Sequence, residues 1–146
     1  MNDLQLEDVY IYQLERTVRQ LKRHFQRLLE ATYPGLSITS DQWIILKRIS
    51  ENDALSQREV AGITFKDPAS VTRTLDLMAR KGWICRETAD DDRRVYHLTL
   101  TEQGWDLIRK ITPLAQQVRQ DGLRDISATE VEVFRQVLAA IFANVS

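Results

Sequence analysis

Residues 67–104, DPASVTRTLDLMARKGWICRETADDDRRVYHLTLTEQG, decide the architecture. Asp67 is placed to cap a helix, and Pro68 occupies the first helical position, where a missing N–H costs nothing. With Val71 set at zero and about 100° per residue, Leu75 and Met78 fall within roughly 40° of it. These three form the core-facing stripe. Ala69, Ser70, Arg73, Asp76 and Arg80 fall on the far side, with Thr72 at its edge. The helix should run to Lys81, and Gly82 should end it in a left-handed conformation. Two short β-type runs follow, 83–87 and 95–100. The polar connection 88–94 between them holds three consecutive Asp and the pair Arg93-Arg94. A helix shaped for the major groove and a basic hairpin tip shaped for the minor groove predict a winged helix-turn-helix that reads duplex DNA.

The flanking sequence supplies the other parts of such a module. Ser56 caps a short helix, SQREVAGI, with Glu59 three residues on as a capping box, and Thr64-Phe65-Lys66 is the turn. Thr39 caps a helix whose apolar stripe is Trp43, Leu46 and Ile49. Residues 6–32 read as one long helix that ends at Tyr33-Pro34-Gly35. Ile11, Leu14, Val18, Leu21, Phe25 and Leu28 alternate spacings of three and four, a heptad seam. The seam can serve as core within one chain. Its narrowness, beside the dense charges of Glu15, Arg16, Arg19, Lys22, Arg23 and Arg27, suits helix–helix association. Thr101 caps a helix running towards Asp125, which Pro113 should bend or interrupt. Ser127 and Glu130 form a capping box for the last helix, where Val131, Phe134, Leu138, Ile141 and Val145 repeat the three-four spacing.

The fold class is therefore mainly α with a small β-hairpin wing. We read 1–146 as a single domain: a winged helix-turn-helix at 39–101, flanked by dimerisation helices at 6–33 and 102–146. The chain has 146 residues, 43% hydrophobic and 28% charged, with few Gly and Pro, which argues against disorder. No apolar run approaches the roughly 18–20 residues of a membrane span. MNDLQLEDVY is acidic and polar, unlike a secretory signal. The single cysteine, Cys85, forms no internal disulfide, which suits a reducing cytoplasm. No nucleophile–base set, phosphate loop or metal-ligand spacing is present, so neither an enzyme, a cofactor nor a metal is expected.

Net charge is −1, and residues 56–100 hold eight Lys/Arg against seven Asp/Glu. DNA binding must then rest on where charges point rather than on their sum. On the recognition helix, Ser70 and Thr72 can bond bases or phosphates, the Thr72 methyl can touch a thymine methyl, and Arg73 can fork onto guanine. At the hairpin tip, an arginine can enter the narrow, electronegative minor groove, held in one orientation by a neighbouring carboxylate. A solvated amphipathic helix and a solubilising turn would show the same residue types. It is their order along the chain that favours DNA.

The ordered set Thr39…Gln42-Trp43…Leu46, Ser56-Gln57…Glu59-Val60-Ala61, Asp67-Pro68-Ala69-Ser70-Val71-Thr72-Arg73…Leu75-Asp76-Leu77, Lys81-Gly82-Trp83-Ile84…Arg86, Asp92-Arg93-Arg94 and Leu98-Thr99-Leu100-Thr101…Gly104 resembles the MarR family of multiple-antibiotic-resistance-type transcriptional regulators. The resemblance implies a homodimer on a pseudo-palindromic operator, typically a bacterial repressor released by a small aromatic or phenolic effector. It places Ser70, Thr72 and Arg73 in the major groove. Ser56, Gln57 and Lys66 fall at phosphates, and Arg94 in the minor groove, oriented by Asp92, with Arg93 near the backbone. Arg86 is expected to pair with a wing acid. Arg16, Arg23, His24, Tyr33, Trp43 and Lys47 are candidates to line an effector site, and Ile11, Leu14, Val18, Val131, Phe134, Leu138 and Ile141 a dimer interface. The third Asp of the wing departs from the family pattern.

Two other functions compete. A winged helix can serve as a protein-interaction module without DNA, but it would not need a basic wing. Some family members sense peroxides through cysteines that typically lie in the first long helix. This chain has none there, and Cys85, on a strand, reads as inert despite its neighbour Arg86.

Overall fold

The computed structural model describes residues 5–52, 55–64, 67–89 and 92–146. Among the described residues, six α-helices and a three-stranded antiparallel sheet follow in the order α1 (Tyr10–Thr32), α2 (Ser40–Glu51), β1 (Leu55–Ser56), α3 (Gln57–Thr64), α4 (Pro68–Arg80), β2 (Ile84–Ala89), β3 (Asp92–Leu100), α5 (Glu102–Gly122) and α6 (Ala128–Val145). The first helix is shorter than the sequence suggests. A 3₁₀ turn, Leu6–Asp8, precedes it, and Val9 is extended (φ −85°, ψ 101°) between the two.

Local chemistry explains most boundaries. The Thr39 hydroxyl accepts from Gln42 N while the Gln42 side chain accepts from Thr39 N, and Ser127 and Glu130 do the same at α6. Ser56 accepts from Glu59 N, but the Glu59 carboxylate takes the Ser56 hydroxyl proton instead of bonding the backbone, so that capping box is only half formed. Gly82 adopts φ +77° after α4, and Trp83 N donates back to Met78 O, closing the helix as the sequence predicts. The long helix α5 passes through Pro113 without a break.

The core is one cluster assembled from every layer. Phe25 and Leu29 come from α1, Ile45, Leu46 and Ile49 from α2, Val71, Leu75 and Met78 from α4, Leu98 from β3, and Leu107, Ile108 and Ile111 from α5. Each fully buried side chain of this kind is worth about 1.5–3 kcal/mol against exposure. The sheet order is β1-β3-β2. The two-residue strand β1, absent from the sequence reading, pairs Leu55 with Leu98 and Ser56 with His97. It ties the start of α3 to the base of the wing.

The wing strands are longer than 83–87 and 95–100. Pairing continues to Ala89 and Asp92, with a register shift between Thr88 and Ala89. The residues read as a loop at 88–94 are therefore largely strand. Arg93 and Arg94 fall where the register shifts, an irregularity of the kind that re-aims a strand.

Gly104, in the first turn of α5, has no room for a side chain. A Cβ there would overlap the Trp83 carbonyl oxygen, which also accepts from Thr101 N. Gly104→Ala should destabilise the fold by about 2–3 kcal/mol and lower the melting temperature by roughly 5–10 °C. Thermal unfolding at fixed protein concentration checks this, and an unchanged midpoint would mean that the α5 start yields freely.

Candidate nucleic-acid interface

Helices α3 and α4 and strand β3 bound an open groove of about 910 Å³, lined among others by Ser56, Gln57, Pro68, Val71, Thr72, Tyr96 and His97. Sequence reasoning brought Ser56, Gln57 and Thr72 to this place. It missed Tyr96, exposed on the wing, and His97 beside it. Tyr96 shares the face of β3 that carries the buried Leu98, two residues on. A period-two reading can find that face but not the groove it overhangs.

The two faces of α4 separate as the helical projection predicts. Val71, Leu75 and Met78 are buried, while Ala69, Thr72, Arg73 and Arg80 are exposed. The polar residues are bonded to one another. Asp67 Oδ1 accepts from Ser70 N at 2.9 Å, and Asp67 Oδ2 takes the Ser70 hydroxyl at 2.6 Å. Arg73 Nη2 in turn donates to Ser70 Oγ at 3.0 Å. Hydrogen bonding by the Ser70 hydroxyl, then by its backbone N–H, holds the Asp67 carboxyl below its ordinary value. Thr72 donates to Pro68 O at 2.9 Å and accepts from Gln57 Nε2 at 3.2 Å, which bridges α3 to α4. Its methyl group carries no such commitment.

Other candidates fall elsewhere. Lys66 lies outside the described residues. Asp92, Arg93 and Arg94 are placed on β3 by their backbone, and their side chains lie outside the described ones. The wing acids that Arg86 is expected to meet lie, in their side chains, outside the described ones. The described partner of Arg86 is Asp76 on α4, with Nη1 at 2.7 Å from Oδ1. Sequence distance hides this pair, because it forms only once β2 packs on α4. Cys85 is exposed on the outer face of β2.

The candidate effector residues have separate engagements. His24 Nε2 contacts Asp121 Oδ2 at 2.7 Å, joining α1 to α5. That contact, followed by the Gln117 amide, holds the Asp121 carboxyl below its ordinary value. Lys47 pairs with Glu51 one turn along α2, and Arg16 lies over the Tyr12 ring. Trp43 packs against Phe25, with ring centroids 6.5 Å apart, and its buried Nε1–H has no hydrogen-bond partner. The described bonds do not draw these four together. Of the candidate dimer residues, Ile11, Val18 and Phe134 are exposed, and Leu14, Val131, Leu138 and Ile141 are partly buried.

The MarR family model matches residues 38–96, from the start of the first module helix to the wing. Three solved structures share the fold over almost the whole chain. BpsR of Bordetella bronchiseptica, described with regulation of its DNA binding by 6-hydroxynicotinic acid, is 21% identical with a TM-score of 0.83, covering 96% of this chain and 97% of that one. The PcaV transcriptional regulator of Streptomyces coelicolor, in complex with its natural ligand, is 23% identical with a TM-score of 0.81 over 100% of both chains. A mutant MarR from E. coli complexed with operator DNA is 24% identical with a TM-score of 0.76, covering 96% and 99%.

The cap at Asp67 has a pH signature. Its folded-state pKa is lowered, so the stabilisation is present above the ordinary value of 3.8 and is lost as pH falls through the lower folded value. Asp67→Ala should speed amide exchange in the first turn of α4 at neutral pH. The stability gap to wild type should narrow below about pH 4. A gap that stays constant through the acid range would mean that the carboxylate does not cap the helix in solution.

Proposed function

We propose that this chain, which belongs to the MarR family of winged helix-turn-helix DNA-binding transcriptional regulators, acts as a homodimeric repressor on a pseudo-palindromic operator. A small aromatic or phenolic effector releases it, and its place of action is the cytoplasm. Regulation, not catalysis, is the family's business. The observation that carries the reading is the split of α4: an apolar face sealed in the core, and a polar face of Ser70, Thr72 and Arg73, of which Thr72 shares a groove with Tyr96 of the wing.

In this reading α4 enters the major groove by its N-terminal half. Ser70, Thr72 and Arg73 meet base edges, and Arg73 exchanges its hydrogen bond to Ser70 for a guanine. Ser56, Gln57 and Lys66 meet phosphates. Arg94 enters the minor groove with Asp92 orienting it, and Arg93 lies near the backbone. Two such modules related by a twofold axis would read half-sites about one helical turn apart.

Dimerisation is supported by apolar surface that a single chain leaves uncovered. Ile11 is 56% exposed, Val18 47%, Phe134 51% and Phe142 61%, and no residue of α6 is fully buried. Ile11, Leu14 and Val18 of α1, with Val131, Phe134, Leu138 and Ile141 of α6, form the proposed interface. The effector reading draws on the two ligand-associated relatives, BpsR and PcaV. Within this chain it draws on Trp43, whose buried, unpartnered indole N–H offers a donor beside an aromatic ring.

Selection of duplexes from a random pool tests the DNA reading. The protein should enrich an inverted repeat, and failure to enrich any sequence would refute it. On the enriched duplex, Arg73→Ala should cost about 1–3 kcal/mol and relax preference at one base pair per half-site. Equal weakening on all sequences would make Arg73 a phosphate contact instead. Sedimentation should find a dimer whose folding depends on concentration. A stable folded monomer at micromolar concentration would contradict the interface.

A further inference from the structure

We infer that the Asp76–Arg86 ion pair is a strut that sets the angle between the recognition helix and the wing, and thereby couples major-groove to minor-groove binding. The inference rests on the DNA-binding reading above and names two positioning residues for it, one of which, Asp76, that reading leaves without a role.

Arg86 is on the wrong face of its strand for a simple surface charge. Along β2, Ile84 is buried, Cys85 exposed, Arg86 partly buried and Glu87 exposed. Arg86 therefore shares the inner face of the strand with Ile84, the face that packs on α4. Its Nε is buried and has no hydrogen-bond partner. Among the described residues its charge is compensated by Asp76, at 2.7 Å, and the guanidinium is only 24% exposed. A leucine or methionine would fill such a position without the desolvation cost, and buried or half-buried ion pairs seldom add net stability over apolar replacements. The pair has directional geometry that an apolar contact lacks, which suits it to fixing an angle.

Asp76 occupies an equally odd place. It follows Arg73 by three residues and precedes Arg80 by four, on the polar side of α4. A free carboxylate on that side would repel phosphate. Paired to Arg86, it is neutralised and tied to the wing. The hollow between α4 and β2 is lined by Asp76, Ala79, Arg80 and Arg86. The pair bridges it as a polar contact between the two elements.

The strut also lies on the path to the wing tip. Arg86 is opposite Leu98 in the ladder, and β2 and β3 are paired from there out to Ala89 and Asp92. A change in the angle of β2 on α4 would therefore swing Arg93 and Arg94 relative to Arg73. Correct spacing matters only when both grooves are engaged on a matched site. Loose electrostatic binding to arbitrary duplex does not need it.

The test is a double-mutant cycle with Asp76→Asn, Arg86→Gln and the double variant. Each is titrated against the tightest duplex selected by the wild-type protein and against a scrambled duplex of the same length. The strut predicts that each single variant loses about tenfold on the selected duplex, that the double variant loses no more than the worse single one, and that scrambled-duplex affinity is unchanged or, for Asp76→Asn, slightly improved. Arg94→Ala should also cost less in the Asp76→Asn background than in wild type, because a misplaced wing has less to lose. Tighter binding of both duplexes by Asp76→Asn would reduce Asp76 to a repulsive charge and overturn the strut. So would additive single losses, or equal losses on both duplexes accompanied by a lowered melting temperature. A wild-type protein that selects no duplex would overturn the DNA reading and the strut together, whereas a selecting wild type with indifferent variants would overturn the strut alone.

Discussion

The burial of one face of α4 is the constraint on which the rest of the structure depends. Val71, Leu75 and Met78 enter the same cluster as Leu46 of α2, Leu98 of β3 and Ile111 of α5. A helix held by three fully buried side chains, each worth about 1.5–3 kcal/mol, cannot rotate about its axis without losing most of that energy. The orientation of Ser70, Thr72 and Arg73 is thus set from behind, by packing. The α3 helix is short and, among its described side chains, contributes one that is fully buried, Val60. The Gln57–Thr72 hydrogen bond and the two-residue β1 ladder help to locate it. The module is rigid where it packs and polar where it can exchange partners.

What was legible in the sequence was local. Asp67, Thr101 and Ser127 cap their helices because a short oxygen-bearing side chain can satisfy an N–H two or three residues on, whatever lies around it. The stripe of α4 follows from helical geometry alone. What the sequence does not show is mostly tertiary. β1 spans two residues, too few for any alternation to register, and exists because β3 offers it an edge. The wing reaches past its apolar residues because pairing can continue through polar ones. Val9 breaks the first helix without a proline or glycine to announce it. Arg86 and His24 are read by character for the wing and for an effector site. The sequence does not show that each also meets an acid close only in the folded chain, Asp76 and Asp121.

The near-neutral net charge also becomes intelligible. Several acids away from the groove are engaged with nearby bases: Asp41 with Lys22, Glu51 with Lys47 and Arg48, Asp106 with Arg109 and Lys110, and Glu132 with Arg135. Such exposed pairs contribute little stability, in the range of about 0–1 kcal/mol. They do shorten the reach of the negative charge, which salt screens further beyond roughly 10 Å. On α4, Asp67 is committed to its cap and Asp76 to Arg86. The sum of charges therefore understates how favourable this surface can be for phosphate.

Helix α1, which carries part of the exposed apolar surface, packs on α5, which in turn packs on α2 of the module. Gly122 lies against Leu21, so that a Cβ there would sit 3.3 Å from the leucine Cδ2, and His24 bonds Asp121 one residue earlier. Past this junction, Asp125 takes a positive φ of 63° and Ser127 starts α6. That helix is apolar on more than one face, with Val133, Phe134, Val137 and Phe142 all exposed, while Val131, Leu138 and Ile141 are half-covered. A helix apolar on several faces is stable in water only when something covers them. On the dimer reading the cover is a second copy, and the α1–α5 junction then transmits its placement. A small rotation of α5 against α1 would change the distance between two recognition helices, which must match a helical turn of DNA. Binding energy between subunits and binding energy on the operator would then draw on the same few contacts.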